Sequence, residues 1–271
     1  MTLTGNLLII ILVSVTRYLR SPMYFFLSQL SFCDIILTTA IVPNLLLVTL
    51  KNGSHITVSE CIAQLNFFSF SSTAECHLLT MMSYDRYVAI CKPLYYVIIM
   101  NSQFCVGLAM LSWALGFIVT LIVTILISHL HFCNSNNIDH FFCDYIPFFE
   151  VSCSDTTFVK TVAFLLSTAE TVTETVFIIS TYVCIFLTIH RITSTTGKQK
   201  AFSTCSSHLA VVCMYYGTLI AIYVFPSGEY SFNVNKILSL MYTVVTPLFN
   251  PIIYSLRNRD IKTAIKGYLK K

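Results

Sequence analysis

Apolar positions in this chain run in long stretches, broken by short polar or basic turns, rather than in the alternation of soluble strands or the narrow stripe of soluble helices. Leu3 to Thr16 is the first stretch, closed by Arg17 and Arg20. Met23 to Leu50 is the second, with Asp34 inside it and Pro43 as a kink point. Cys61 to Arg86 is the third and carries Glu75, and Phe104 to Ile127 is the fourth and holds the only tryptophan, Trp113. A polar loop, 128–157, leads to the fifth, Phe158 to Ile189, which is over-long for a bilayer and is expected to tilt or project. After a Thr- and Lys-rich linker, 190–200, come a sixth stretch, Ala201 to Val224, and a seventh, Ile237 to Tyr254, broken by Pro247 and Pro251. Each is read as one membrane-spanning helix, giving an all-α, seven-helix bundle that forms a single domain over 1–271.

Two ends of this pattern differ from the middle. The first stretch supplies only about 21 Å of helix against a hydrocarbon core of about 30 Å. It lacks the leading basic segment and the small-residue cleavage site of a signal peptide, so it is read as the lower part of an incomplete first helix. At the other end, in 257–271, Ile261, Ala264, Ile265, Tyr268 and Leu269 share one helical face with lysines opposite. That pattern suits a helix lying on an anionic inner leaflet, the alternative being a frayed, solvated basic tail.

Composition agrees: 56% of residues are apolar and 10% charged, against roughly 45–50% and 25% in soluble domains. No basic run interleaved with aromatics suggests a nucleic-acid surface. With the Arg17/Arg20 side placed in the cytoplasm, all 16 basic residues fall on that side except Lys51, Lys160 and Lys236, a strong positive-inside signal with the amino terminus outside. Four of the 11 cysteines, Cys61, Cys133, Cys143 and Cys153, then lie on the oxidising side. Their spacing alone leaves three pairings open. The histidines and cysteines of the same loop (His129, His131, Cys133, His140, Cys143) could be taken for a zinc site, but their spacing matches no tight pair of ligand turns. Asn52-Gly53-Ser54 forms a glycosylation sequon at Asn52.

Five segments carry a family resemblance. They are Ser21-Pro22-Met23-Tyr24-Phe25-Phe26-Leu27, Met82 to Pro93 (with Asp85-Arg86-Tyr87), and Asp139-His140-Phe141-Phe142-Cys143-Asp144. The fourth is Lys200-Ala201-Phe202-Ser203-Thr204-Cys205-Ser206-Ser207-His208-Leu209, and the fifth is Pro247-Leu248-Phe249-Asn250-Pro251-Ile252-Ile253-Tyr254. In this order the chain resembles a rhodopsin-like G-protein-coupled receptor of the odorant (olfactory) class over nearly its whole length, with Ser83 where that family often has alanine. The resemblance implies a non-enzymatic cell-membrane receptor with no organic cofactor. It would bind a small-molecule odorant and activate an olfactory heterotrimeric G protein through cyclic AMP.

The resemblance also implies roles. Arg86, held by Asp85 beside Tyr87, would be the G-protein switch, with Tyr182, His208, Asn250, Pro251 and Tyr254 as partners. The odorant pocket would include Phe68, Ser69, Ser72, Thr73, Glu170, Tyr216, Leu219, Tyr223 and Thr243. Glu170 and Glu174, one turn apart, would attract a cationic ligand if they face that cavity, or else line a wet crevice or contact the fourth helix. Asp34, Glu75 and Asn250 would form an allosteric sodium pocket, the alternative being one protonated carboxyl bonded to the other. Disulfides Cys61–Cys143 and Cys133–Cys153 are implied in place of zinc. Two other readings stay open: a receptor of this type tuned to a metabolite outside the nose, and a small transporter using Asp34 and Glu75 as an ion path, for which no internal repeat is visible.

Overall fold

The computed structural model describes residues 1–51, 57–132, 143, 145, 149, 152–221 and 239–269. Among these, the chain is helical almost throughout. The bundle helices are α1 (Thr2–Val15), α2 (Pro22–Lys51), α3 (Val58–Cys91), α4 (Ser102–Ser128), α5 (Thr157–Arg191), α6 (Thr195–Leu219) and α7 (Thr246–Arg257), followed by α8 (Arg259–Leu269). A single turn, Tyr96–Ile99, lies between α3 and α4.

Local chemistry sets several ends beyond the apolar runs. At the start of α3, Thr57 and Glu60 form a reciprocal capping box, with the Glu60 amide donating to the Thr57 hydroxyl at 3.3 Å. The Thr57 hydroxyl and amide hold the exposed Glu60 carboxyl below its usual pKa. The α6 helix begins six residues before the apolar run, because the Ser194 hydroxyl accepts from the Gly197 amide at 3.2 Å. The proline-containing seventh segment is not broken. A wide π turn, Met241–Val245, passes directly into α7, with Pro247 in its first turn and Pro251 inside it. The 35 residues of α5 make about 52 Å of helix, longer than a bilayer core.

Polarity is inverted relative to a soluble protein. Leu111, Phe117, Ile118, Phe164, Leu165, Val176 and Phe186 on the outer faces of α4 and α5 are exposed. The interior instead buries Asp34, Glu75, Ser71, Ser83, Asp85, His208 and Asn250. Among the described residues, Pro22–Leu47, Ser102–Ser128 and Thr157–Arg191 are long and apolar enough to cross a membrane, and Thr2–Val15 and Thr243–Tyr254 are shorter apolar helices. The α3 helix falls outside that set because it carries so much of the buried polar load, as expected where polar groups of a membrane bundle turn inward.

Close approaches set the bundle's geometry. At Gly116 of α4, an added Cβ would sit 3.1 Å from the Ala74 amide nitrogen and 3.2 Å from the Phe70 carbonyl oxygen, so hydrogen in place of a side chain lets α4 seat on α3. Nearby, the Trp113 indole donates to Gln29 Oε1 at 3.1 Å and its ring meets Phe70 and Phe32, joining α2, α3 and α4. The carboxyl-terminal segment is a helix rather than a frayed tail. Its apolar side turns inward: Ile261 and Ala264 belong to the core while Lys262 and Lys266 are exposed. Asn258 caps α8, accepting from the Asp260 and Ile261 amides at 2.9 and 3.3 Å. The Tyr24 hydroxyl reaches Asn258 Oδ1 and Asp260 Oδ2 at 3.0 and 2.8 Å, tying α8 to α2.

Candidate functional site

Three polar assemblies lie along α3, one at each level of the bundle. The outermost is a cavity between α3, α4, α5 and the end of α6. Phe68, Ser69, Ser72, Thr73, Glu170 and Leu219, all expected in the pocket, line it. Val119, Thr120, Val123, Tyr145 and Glu174 line it as well. Two residues of the following loop, Cys143 and Tyr145, are tied to α3 beside it. The Cys61–Cys143 disulfide joins α3 to the loop with Cα atoms 5.4 Å apart. The Cys143 amide donates to Gln64 Oε1 at 3.0 Å, and the Tyr145 hydroxyl donates to the Ser69 hydroxyl at 2.7 Å. The free space is about 70 Å³, enough for a few waters, so a larger guest must displace side chains.

Two expected pocket residues are placed elsewhere. Tyr216 sits below the cavity and faces an apolar crevice between α5 and α6 with Tyr182. Thr243 is fully buried and donates to the Ser239 carbonyl at 2.6 Å. Tyr223, Asn52 and Cys133 lie outside the described residues. Cys153 is disulfide-bonded, and Cys33, Cys76, Cys91, Cys105, Cys184, Cys205 and Cys213 are free. Among the described residues, no three His, Cys, Asp or Glu side chains cluster as metal ligands.

The cavity floor joins α3 to α6. The Tyr215 hydroxyl lies 3.0 Å from the Ser72 carbonyl, which can only accept, so the Ser72 hydroxyl donates back to Tyr215 at 2.9 Å. The Tyr216 hydroxyl reaches Glu174 Oε2 at 2.9 Å. Glu174 Oε1 is also paired with His77 Nδ1, and Glu170 Oε1 lies 3.8 Å from His77 Nε2. The two glutamates therefore face α3, not α4. His77 carries the one signal sequence reading passed over, a polar residue inside an apolar span.

The middle assembly gathers Asp34, Glu75 and Asn250 as expected. The Asn250 amide lies 3.2 and 3.1 Å from the Asp34 oxygens and 3.2 Å from Glu75 Oε1. Among the described residues, Glu75 Oε2 and Asn250 Oδ1 are buried without a hydrogen-bond partner.

The innermost assembly holds Arg86. Its Nε donates to Asp85 Oδ2 at 2.9 Å, its terminal nitrogen reaches the same oxygen, and the Tyr96 hydroxyl donates to Asp85 Oδ1 at 2.8 Å. Desolvation and the Asp85 charge raise the Tyr96 pKa. Two turns back along α3, His208 Nε2 lies 3.1 Å from the Leu79 carbonyl, so Nε2 carries the hydrogen and Nδ1 accepts from Tyr182 at 2.7 Å. His208 thus latches α6 to both α3 and α5. Tyr87 packs against Tyr84 and beneath Lys92. The Tyr254 ring is buried beside these groups, but its hydroxyl has no hydrogen-bond partner among the described residues. Pro251 shapes α7 and is a backbone element rather than a polar partner.

A cavity, a polar core and a caged arginine, stacked along one helix of an inside-out bundle, define a seven-helix membrane receptor. The olfactory receptor family model matches residues 1–271. The chain is 46% identical over 271 residues to human olfactory receptor 11L1, covering all of this chain and 84% of that protein. It is 47% identical over 270 residues to human olfactory receptor 5G3 and to mouse olfactory receptor 5G29, covering 86% of each. The chain belongs to the olfactory receptor family; it is a receptor, not an enzyme.

Proposed function

We propose that small, sparingly soluble organic odorants enter the cavity between α3, α4, α5 and α6 and that α6 carries their binding to Arg86. Ser72 supports this reading most directly, because it lines the cavity while exchanging hydrogen bonds with Tyr215 of α6. A guest too large for the free space displaces that pair and loosens α6 from α3. The His208 latch further along α6 then yields, and Arg86 leaves Asp85 for a heterotrimeric G protein coupled to cyclic AMP. This is a two-state element biased by differential contacts. On this reading the Arg86 end of α3 and α8 lie in the cytosol and the Cys61–Cys143 end lies outside.

The middle assembly fits a sodium ion. Two carboxyl groups around the Asn250 amide leave buried acceptor oxygens, Glu75 Oε2 and Asn250 Oδ1, that a hard cation would satisfy. Asp34, Glu75 and Asn250 would hold it, and the bound charge would tie α2, α3 and α7 together.

The test is a cyclic-AMP reporter in cells displaying the chain, screened against an odorant panel. Ligand-dependent production that disappears in Arg86→Ala, with ligand binding retained, is the expected result. Signalling by Arg86→Ala equal to the unaltered chain would overturn the role given to Arg86.

A further inference from the structure

The cavity wall holds two carboxyl groups, Glu170 and Glu174, that face one imidazole, His77. Glu174 makes two close contacts, one oxygen in an ion contact with His77 Nδ1 and the other accepting from Tyr216. Among the described residues, Glu170, one turn away on the same face of α5, makes only a 3.8 Å approach to His77 Nε2, too long for a hydrogen bond. A quarter of its side chain is exposed (25%) and it lines the cavity. Among the described residues, no lysine or arginine lines the cavity to balance it. With two carboxyl groups sharing one imidazole, an ionised Glu170 is left without a full partner, and in an apolar wall such a charge is costly unless a proton or a cation meets it.

A second observation comes from a different helix. Thr120 of α4 lines the same cavity and is only 2% exposed, yet its hydroxyl has no hydrogen-bond partner among the described residues. A buried hydroxyl without a partner is costly in the same way. Val119, Val123, Leu166 and Leu219 make much of the remaining wall apolar. A carboxylate, a free hydroxyl and aliphatic walls suit a molecule with one cationic hydrogen-bonding end and a short hydrocarbon body.

We propose that the cavity binds small alkylammonium ions, with Glu170 as the counter-ion, Thr120 as a second acceptor and His77 holding Glu174 out of competition. This rests on the cavity being the odorant site. In electrostatic terms, a protonated His77 balances Glu174 and leaves the Glu170 carboxylate to pair with one monocation.

The test compares hexylamine with hexanol and hexanoic acid on cells displaying the full chain, read by the cyclic-AMP reporter near neutral pH, with surface labelling of each variant. Hexylamine is expected to activate at concentrations at least about tenfold below hexanol. Glu170→Gln should raise its half-maximal concentration roughly tenfold to hundredfold, the range of a charged hydrogen bond. Glu170→Asp, which keeps the charge, should restore most of that loss. Activation by hexanol or other neutral odorants with no amine response would overturn the inference and leave the receptor reading intact. An amine response unchanged in Glu170→Gln would also overturn it. Silence toward every compound by a surface-displayed chain would overturn both.

Discussion

The Asn6 side-chain amide of α1 donates to the Pro247 carbonyl of α7 at 3.2 Å. That carbonyl sits four residues before Pro251, which has no N–H with which to complete the helical bond. Asn6 therefore supplies from another helix the donor that α7 lacks. Gly5 beside it allows the approach, since a Cβ there would lie 3.1 Å from the Pro251 ring. In a bundle interior without free water, an abandoned carbonyl is costly.

Asn6→Leu should lower the thermal midpoint of the purified receptor by an amount corresponding to about 1–3 kcal/mol, the cost of a buried unsatisfied polar group. A thermal-shift assay in detergent measures it. An unchanged midpoint would mean that α7 does not depend on α1 for this bond.

Gly116 and Gly107 form an internal comparison on α4. A Cβ at Gly116 meets the α3 backbone, whereas at Gly107 it meets nothing within 4 Å. Gly116→Val should force α3 and α4 apart and remove most of the receptor from the cell surface, while Gly107→Val, whose larger side chain faces open space, should leave surface labelling near normal. Equal loss in both variants would point to helix propensity rather than packing as the cause.

The Tyr182–His208–Leu79 chain predicts a change in resting activity. Tyr182→Phe removes one hydrogen bond of about 1 kcal/mol from the closed arrangement, which shifts a two-state equilibrium about fivefold. Ligand-independent cyclic AMP should rise toward that factor at matched surface expression. A fall, with the agonist response also lost, would show that Tyr182 instead supports the active arrangement.

The apolar runs revealed the bundle because lipid demands long apolar helices, and the Asp34, Glu75 and Asn250 group was legible because charge inside such runs needs partners. Helix ends were less so: α6 starts at Thr195 through a serine cap, which leaves no trace in hydropathy. The pairing of His77 with Glu170 and Glu174 was hidden for another reason. Those residues are some ninety positions apart, and α3 and α5 meet at that level only through packing that no local pattern encodes. Tyr216 looked like a pocket residue from its place on α6, yet its hydroxyl is drawn down to Glu174 and the Cys76 carbonyl, 2.9 and 3.1 Å away. The inward turn of Ile261 and Ala264 was equally invisible, because an amphipathic stripe suits a protein core as well as a lipid surface.

Asp34, Glu75 and Asn250 lead to a salt-dependent prediction. An ion held between α2, α3 and α7 stabilises the arrangement that holds it, by about 1.4 kcal/mol when its concentration is tenfold above its dissociation constant. An odorant that favours the alternative arrangement must work against that energy, and by linkage its affinity falls by up to about tenfold. Replacing sodium by N-methylglucamine at constant ionic strength should therefore shift odorant binding toward lower concentration in membranes bearing the unaltered chain. Glu75→Gln removes one of the two charges, and the shift should vanish in that variant while odorant binding itself persists. Potassium serves as the second arm: as a larger ion it should reproduce little of the sodium effect, whereas general screening of surface charge would act equally through either salt. Identical odorant affinity in sodium, potassium and N-methylglucamine would mean that a shared proton, rather than a metal ion, reconciles the two carboxylates.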